Sequence, residues 1–197
     1  MSWMSQLKTD PLPWLLEADS PGARYLALRD LVEAPKPAEL RASRKAAHEG
    51  GPIAAILKHM ESEGYWSKAG AGYTQKYRST AWSIITLAQL GASIEQDPRI
   101  RQGCAYLLDH ALAPGGQFTT TTSGAPSGTV DCLQGNLCWA LLELGCDDPR
   151  LDIALDWMAR TVTGEGIAPA TDRYAPRRYY AYKSGPTFAC GVNAGLP

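Results

Sequence analysis

Asp131 and Cys132 stand side by side at the head of the stretch Thr129 to Gly145, T-V-D-C-L-Q-G-N-L-C-W-A-L-L-E-L-G. Read at the helical period, Val130, Leu133, Leu137, Ala140, Leu141 and Leu144 make one continuous aliphatic face. Asp131, Cys132, Gly135, Cys138 and Trp139 fall on the other, with Asn136 at its edge. An acid, two thiols, a glycine and an indole are not the residues of a solvated face. The helix is therefore expected to be buried on both sides, with this second side turned to a cavity or a tight neighbour. A carboxyl group in an apolar, aromatic cavity holds its proton more tightly and can serve as a general acid, the catalytic role open to Asp131. The competing account is that an acid in a first helical turn simply favours the positive end of the helix dipole.

Three further groups carry potential chemistry. Cys132 and Cys190 are weak candidates for a soft-metal site, which for zinc requires ligands that converge tetrahedrally. Free thiols also serve as small buried hydrophobes, so no metal or other cofactor is expected. Trp66, Tyr77, Trp82 and Trp139, with Tyr73, Phe118, Tyr180 and Tyr182, can wall a pocket by cation–π attraction, or can plug loops and fill a core. Arg177, Arg178, Tyr179 and Lys183 form a basic, aromatic cluster that could clamp a diphosphate or another anion, or could be a solvated loop. His48, His59 and His110 read as solvent-facing or capping residues near helix ends. No nucleotide loop, serine elbow or zinc-protease helix is present.

The chain that must position these groups has 197 residues, 45% of them hydrophobic, enough for one domain with a real core. Its net charge of −1 gives no global attraction to nucleic acid or to an anionic membrane. No apolar run is long enough for a transmembrane helix. The start, M-S-W-M-S-Q-L-K-T-D, lacks the pattern of a secretion signal, and five cysteines without C-x-x-C spacing read as free thiols. A cytoplasmic location is expected.

Residues 1–63 read as N-terminal helices leading into a repeated region. Trp14, Leu15 and Leu16 are expected to dock as a plug. Asp19 or Ser20 can cap a helix that begins at Pro21 and stops before Pro35. A polar helix follows from Ala38 to about His48, then a third from Pro52 to near Gly64. From residue 64 the chain repeats. Gly64-Tyr65-Trp66 opens a loop, Tyr77 to Leu90 is a helix stopped by Gly91, and Asp97-Pro98-Arg99 starts another. Gly115-Gly116-Gln117-Phe118, the helix stopped by Gly145, and Asp148-Pro149-Arg150 repeat that order, and Gly164 begins a third round. The units span about 64–113, 114–163 and an incomplete 164–197, a period of roughly fifty residues with two helices each. Such hairpins bury their faces by stacking or by closing into a ring.

At these residues the chain resembles the terpene cyclase and prenyltransferase repeat superfamily. Its Gly-Tyr-Trp66 and Gly-Gly-Gln-Phe118 loops are similar to the family's glycine–aromatic repeat, and its L-x-x-L-G stops to the ends of the family's inner helices. It also resembles a bacterial branch of squalene-cyclase-like proteins, through W-L-L-E-A-D-S-P-G-A-R-Y-L-A-L-R-D-L and D-C-L-Q-G-N. The resemblance implies an all-α fold, helical hairpins of an (α/α) toroid, here an incomplete ring. It also implies a central cavity for an isoprenoid or other apolar small molecule. The acid motif D-x-D-D of the class II cyclases is absent; Cys146-Asp147-Asp148 is the nearest sequence. The zinc pattern of prenyltransferase β subunits is absent too, since Asp131 and Cys132 are adjacent and no histidine follows His110. Two functions stay open, a cyclase-like enzyme with Asp131 as acid and Trp82 and Trp139 as walls, or a non-catalytic binding or interaction module. A short ring would be completed by a second copy or by further C-terminal repeats.

Overall fold

A computed structural model describes residues 6–121 and 131–163 of the chain; the third repeat therefore lies outside the described residues. Every regular element in it is helical: α1 (Leu12–Leu15), α2 (Pro21–Asp30), α3 (Pro37–Glu49), α4 (Gly51–Lys58), α5 (Thr80–Gln89), α6 (Pro98–Ala111), α7 (Asp131–Leu144) and α8 (Arg150–Thr163). The fold is all-α. The helix α5 packs along α7, with α6 against α5 and α8 against α7, while α2, α3 and α4 form a group that reaches α5. One hydrophobic cluster runs from Tyr25 and Ile53 through Ile84, Leu107 and Leu141 to Ala154, so the N-terminal helices and the repeats share a core. None of the helices is long and apolar enough to cross a membrane, among the described residues.

The helix ends are built by the residues that announce them. Asp97 and Asp148 each accept a 2.9 Å hydrogen bond from the backbone N–H of the arginine two residues on, the side-chain capping that aspartate makes at a helix start. A proline after each aspartate supplies a fixed φ where no N–H is needed. At the other ends Gly91 and Gly145 turn left-handed, at φ +75° and +84°. The next N–H closes each turn, Ala92 to Leu87 O at 3.0 Å and Cys146 to Leu141 O at 2.9 Å.

The turns at 60–66 and 112–118 are the same structure made twice. Met60 pairs with Trp66, and Leu112 with Phe118, as antiparallel bridges. Glu61 N–H bonds Tyr65 O at 2.8 Å, and Ala113 N–H bonds Gln117 O at 2.9 Å. Gly64 and Gly116, at φ +98° and +94°, press their bare Cα onto the following outer helix. A Cβ on Gly64 would lie 2.9 Å from Gln102 O, and one on Gly116 2.5 Å from Ile153 O. The residue after each turn is then caught by a helix side chain: Trp66 N–H by Thr80 Oγ1 at 3.2 Å, Phe118 N–H by Gln134 Oε1 at 2.7 Å.

Several sequence expectations need correction. The helix expected from Tyr77 starts at Thr80, because Gln75 and Tyr77 are left-handed at φ +63° and +68° and Ser79 is extended. Trp14 is no plug; it is 70% exposed on a four-residue helix that buries nothing. His48 is buried rather than solvent-facing, with Nδ1 at 2.8 Å from Arg44 O and Nε2 accepting from Ser93 N–H at 3.1 Å. The second face of α7 is not buried throughout: Cys138 is enclosed, but Asn136 and Leu142 are exposed and Trp139 is 41% exposed.

Candidate functional site

The loop from Ser67 to Ser79 folds back onto the start of α5. Gly70 N–H donates to the Tyr106 hydroxyl at 2.9 Å, Ser79 Oγ–H to Gly72 O at 2.6 Å, and Trp82 Nε1–H to Tyr73 O at 3.0 Å. Ser67, at φ +69°, joins Gln75 and Tyr77 in the left-handed region, so three non-glycine residues of one short loop are strained. Each such residue costs on the order of 1–3 kcal/mol, and such strain concentrates at ligand clamps and active sites. A hydrogen bond from Ser67 Oγ–H to Gln75 Oε1 holds two of the three together.

Between this loop, the end of α4 and α5 lies a half-open pocket of about 490 Å³. Its walls are Ile56, Trp66 and Tyr77; its polar groups are His59, Glu61, Ser67, Arg78 and Ser83. The Trp66 ring is anchored, with Nε1–H bonded to Ile56 O at 2.8 Å, and is otherwise sunk in the core. Tyr77 is 75% exposed and presents its ring at 5.3 Å from Trp82, which in turn lies 5.6 Å from Tyr73. Lys76 Nζ sits 5.5 Å from the Tyr77 ring and 5.4 Å from the Trp82 ring, within cation–π range.

The Arg78, His59 and Glu61 side chains enter no ion pair or hydrogen bond with each other or with other described residues. By contrast Arg99 and Arg150 are tied to Asp97 and Asp148 at 2.6 and 2.8 Å. A guanidinium, an imidazole and a carboxylate thus line the pocket uncommitted, and of these the guanidinium suits an anion. Neither serine in the pocket hydrogen-bonds to His59, so no activated nucleophile is assembled there.

Of the residues singled out in the sequence, Trp66 and Tyr77 line this pocket and Trp82 supports Tyr77 from behind. Asn136 and Trp139 are not among its lining residues; they lie on the exposed face of α7. Cys132 is partly buried and not disulfide-bonded, and no cluster of three metal-ligating side chains occurs among the described residues. The Asp131 side chain, Arg177, Arg178, Tyr179, Lys183 and Cys190 lie outside the described residues.

Of the polar members of the pocket, the sequence marks only His59, as a solvent-facing or capping residue. His59 and Glu61 precede the Gly64-Tyr65-Trp66 turn and Arg78 precedes the α5 cap, each next to a recognised signal. Gln134, within D-C-L-Q-G-N, carries no chemical signal in the sequence. It sits on the aliphatic stripe of α7, 1% exposed, and also donates Nε2–H to Gly116 O at 3.0 Å and Ala154 O at 2.9 Å. No protein-family model, curated protein or solved structure matches the chain.

Proposed function

We propose that the chain is a squalene-cyclase/prenyltransferase-like repeat protein of the (α/α)-toroid kind. Its pocket binds an apolar small molecule that ends in an anionic group, such as an isoprenoid diphosphate. The observation that carries this reading is the pairing of an apolar wall, Ile56, Trp66 and Tyr77, with the uncommitted cation Arg78 and with His59. Binding is the part of this reading that the pocket supports, since among the described residues no paired nucleophile and base lines it.

The test is calorimetric titration with farnesyl diphosphate, farnesol and inorganic diphosphate. Farnesyl diphosphate should bind most tightly. Arg78→Ala should weaken it about tenfold, as loss of one charge-assisted hydrogen bond does, and leave farnesol unchanged. Equal affinity for all variants and ligands, or no saturable binding, overturns the reading. A second reading, an interaction module without small-molecule chemistry, is favoured by Trp139 and Leu142. These are exposed one turn apart on α7.

A further inference from the structure

Tyr77 belongs both to the pocket and to a second feature beside it. The Tyr77 and Trp82 ring centroids are 5.3 Å apart with their planes at 57°, and Lys76 Nζ lies 5.5 and 5.4 Å from them. Those three distances make a nearly equilateral triangle, so one ammonium sits in a notch within reach of both rings at once. The notch is built rather than incidental. Trp82 is fixed by its bond from Nε1–H to Tyr73 O at 3.0 Å, and the Tyr73 ring stands 5.6 Å from the indole. Tyr77 is held left-handed at φ +68° with 75% of its surface exposed. A strained backbone and a bared ring both cost stability, and neither serves the core.

Charge narrows what the notch and the pocket can take together. Arg78 follows Tyr77 in the chain and lines the pocket, and so does the Glu61 carboxylate. A ligand of negative charge alone would be attracted by the first and repelled by the second. A ligand with a cation close behind its anion suits Arg78 and the ring notch, and is not repelled as a whole by Glu61.

We propose that the ligand of this pocket is a tailed zwitterion of the phosphocholine kind. The inference rests on the anion-binding reading given above and names the head group. The apolar chain lies along Ile56 and Trp66, and the phosphodiester meets Arg78. The trimethylammonium takes the place that Lys76 Nζ holds between Tyr77 and Trp82. Adjacent residues have Cα atoms about 3.8 Å apart, and phosphocholine separates its charges by an oxygen and two carbons, so Tyr77 and Arg78 suit the pair. The exchange favours the ligand. A lysine ammonium is a compact, strongly hydrated charge, whereas a quaternary one carries methyl groups and gives up less water on entering an aromatic notch.

Calorimetric titration of the full chain should compare decylphosphocholine with its carbon isostere, in which a carbon atom replaces the quaternary nitrogen, both below their micelle-forming concentrations. The two share one shape and one phosphodiester. Decylphosphocholine should bind about fivefold or more the tighter, the scale of cation–π contact at a partly exposed site. Its methyl protons should move upfield in the NMR spectrum as they enter the ring currents. Lys76→Met keeps the stem but removes the internal competitor, and should tighten decylphosphocholine by about threefold without tightening the isostere. Phosphocholine without a tail should bind about tenfold or more weakly, because the apolar wall is then left unfilled. An isostere that binds as tightly as decylphosphocholine, or a Lys76→Met chain with unchanged affinities, overturns the zwitterion and leaves the anion pocket standing. Equal affinity for tailless phosphocholine overturns the tail. Saturable binding of farnesyl diphosphate but of neither decyl ligand also overturns the proposal, while no binding of any of the three overturns the pocket reading itself.

Discussion

Replacing Gln134 by leucine tests how the second repeat is held together. Gln134 is enclosed, and one amide satisfies Phe118 N–H, Gly116 O and Ala154 O at 2.7, 3.0 and 2.9 Å. Leucine has nearly the same volume, so no cavity forms and the change is one of hydrogen bonding. Ala154 O keeps a helical position in α8 and loses little. Phe118 N–H and Gly116 O lie in a turn and lose the partner shown for them, at about 1–3 kcal/mol for each buried orphan. Burying leucine instead of an amide returns about 1–2 kcal/mol. The net loss is about 3 kcal/mol, which lowers Tm by roughly 6–12 °C for a chain of this size. Thermal unfolding followed by circular dichroism reads it. Gln134→Glu adds a second signature. It keeps the acceptor for Phe118 N–H, but burial raises its folded pKa above the unfolded value of about 4.3. Its stability should therefore be greatest below that unfolded value and fall as pH rises through the folded one. A Gln134→Leu chain that melts within about 1 °C of the parent refutes the reasoning, because it would mean that the turn does not depend on the amide.

Three other perturbations have opposite or pH-dependent signs. Gly116→Ala should cost about 2–4 kcal/mol by urea unfolding, since its Cβ would meet Ile153 O at 2.5 Å in a left-handed backbone. Gly135→Ala, inside α7 with nothing within 4 Å of the new Cβ, should instead stabilise by about 0.5–1 kcal/mol. Asp148 is held down to about 2 by the Arg150 guanidinium and backbone N–H, so its contribution is present above the unfolded value of about 3.9 and is lost as pH falls towards 2. A carboxyl NMR titration should place its midpoint near 2, and Arg150→Gln should move it up towards the ordinary value.

Much of this architecture is legible in the chain because its punctuation is local. An Asp-Pro-Arg start and a glycine stop each act within one turn, and both α6 and α8 begin where those residues stand. The second face of α7 misled because composition was read as burial. Cys138 is indeed enclosed, while Trp139 is two-fifths exposed. The start of α5 was misplaced for a different reason. Tyr77 and Arg78 fit a helical pattern, but the loop folding back through Gly72 and Tyr73 forces them out of it, and that long-range contact has no periodic trace. The pocket was half visible for the same reason. Its aromatics belong to the repeated loop, whereas His59, Glu61 and Arg78 acquire meaning only when the end of α4 meets that loop.

The two glycine seats carry a mechanical consequence. Gly64 bears on Gln102 and Gly116 on Ile153, so each turn is fastened by the outer helix of its own hairpin rather than by a distant part of the chain. The fasteners lie in series along the polypeptide. Tension along the backbone would load both alike, and the weaker would yield first and release the slack of its own hairpin. The flank of α5 against α7, with the ion pairs Arg101–Asp147 and Arg150–Asp109, is the seam through which one described hairpin senses the other's failure. Such a chain yields like a row of buckles, one length at a time.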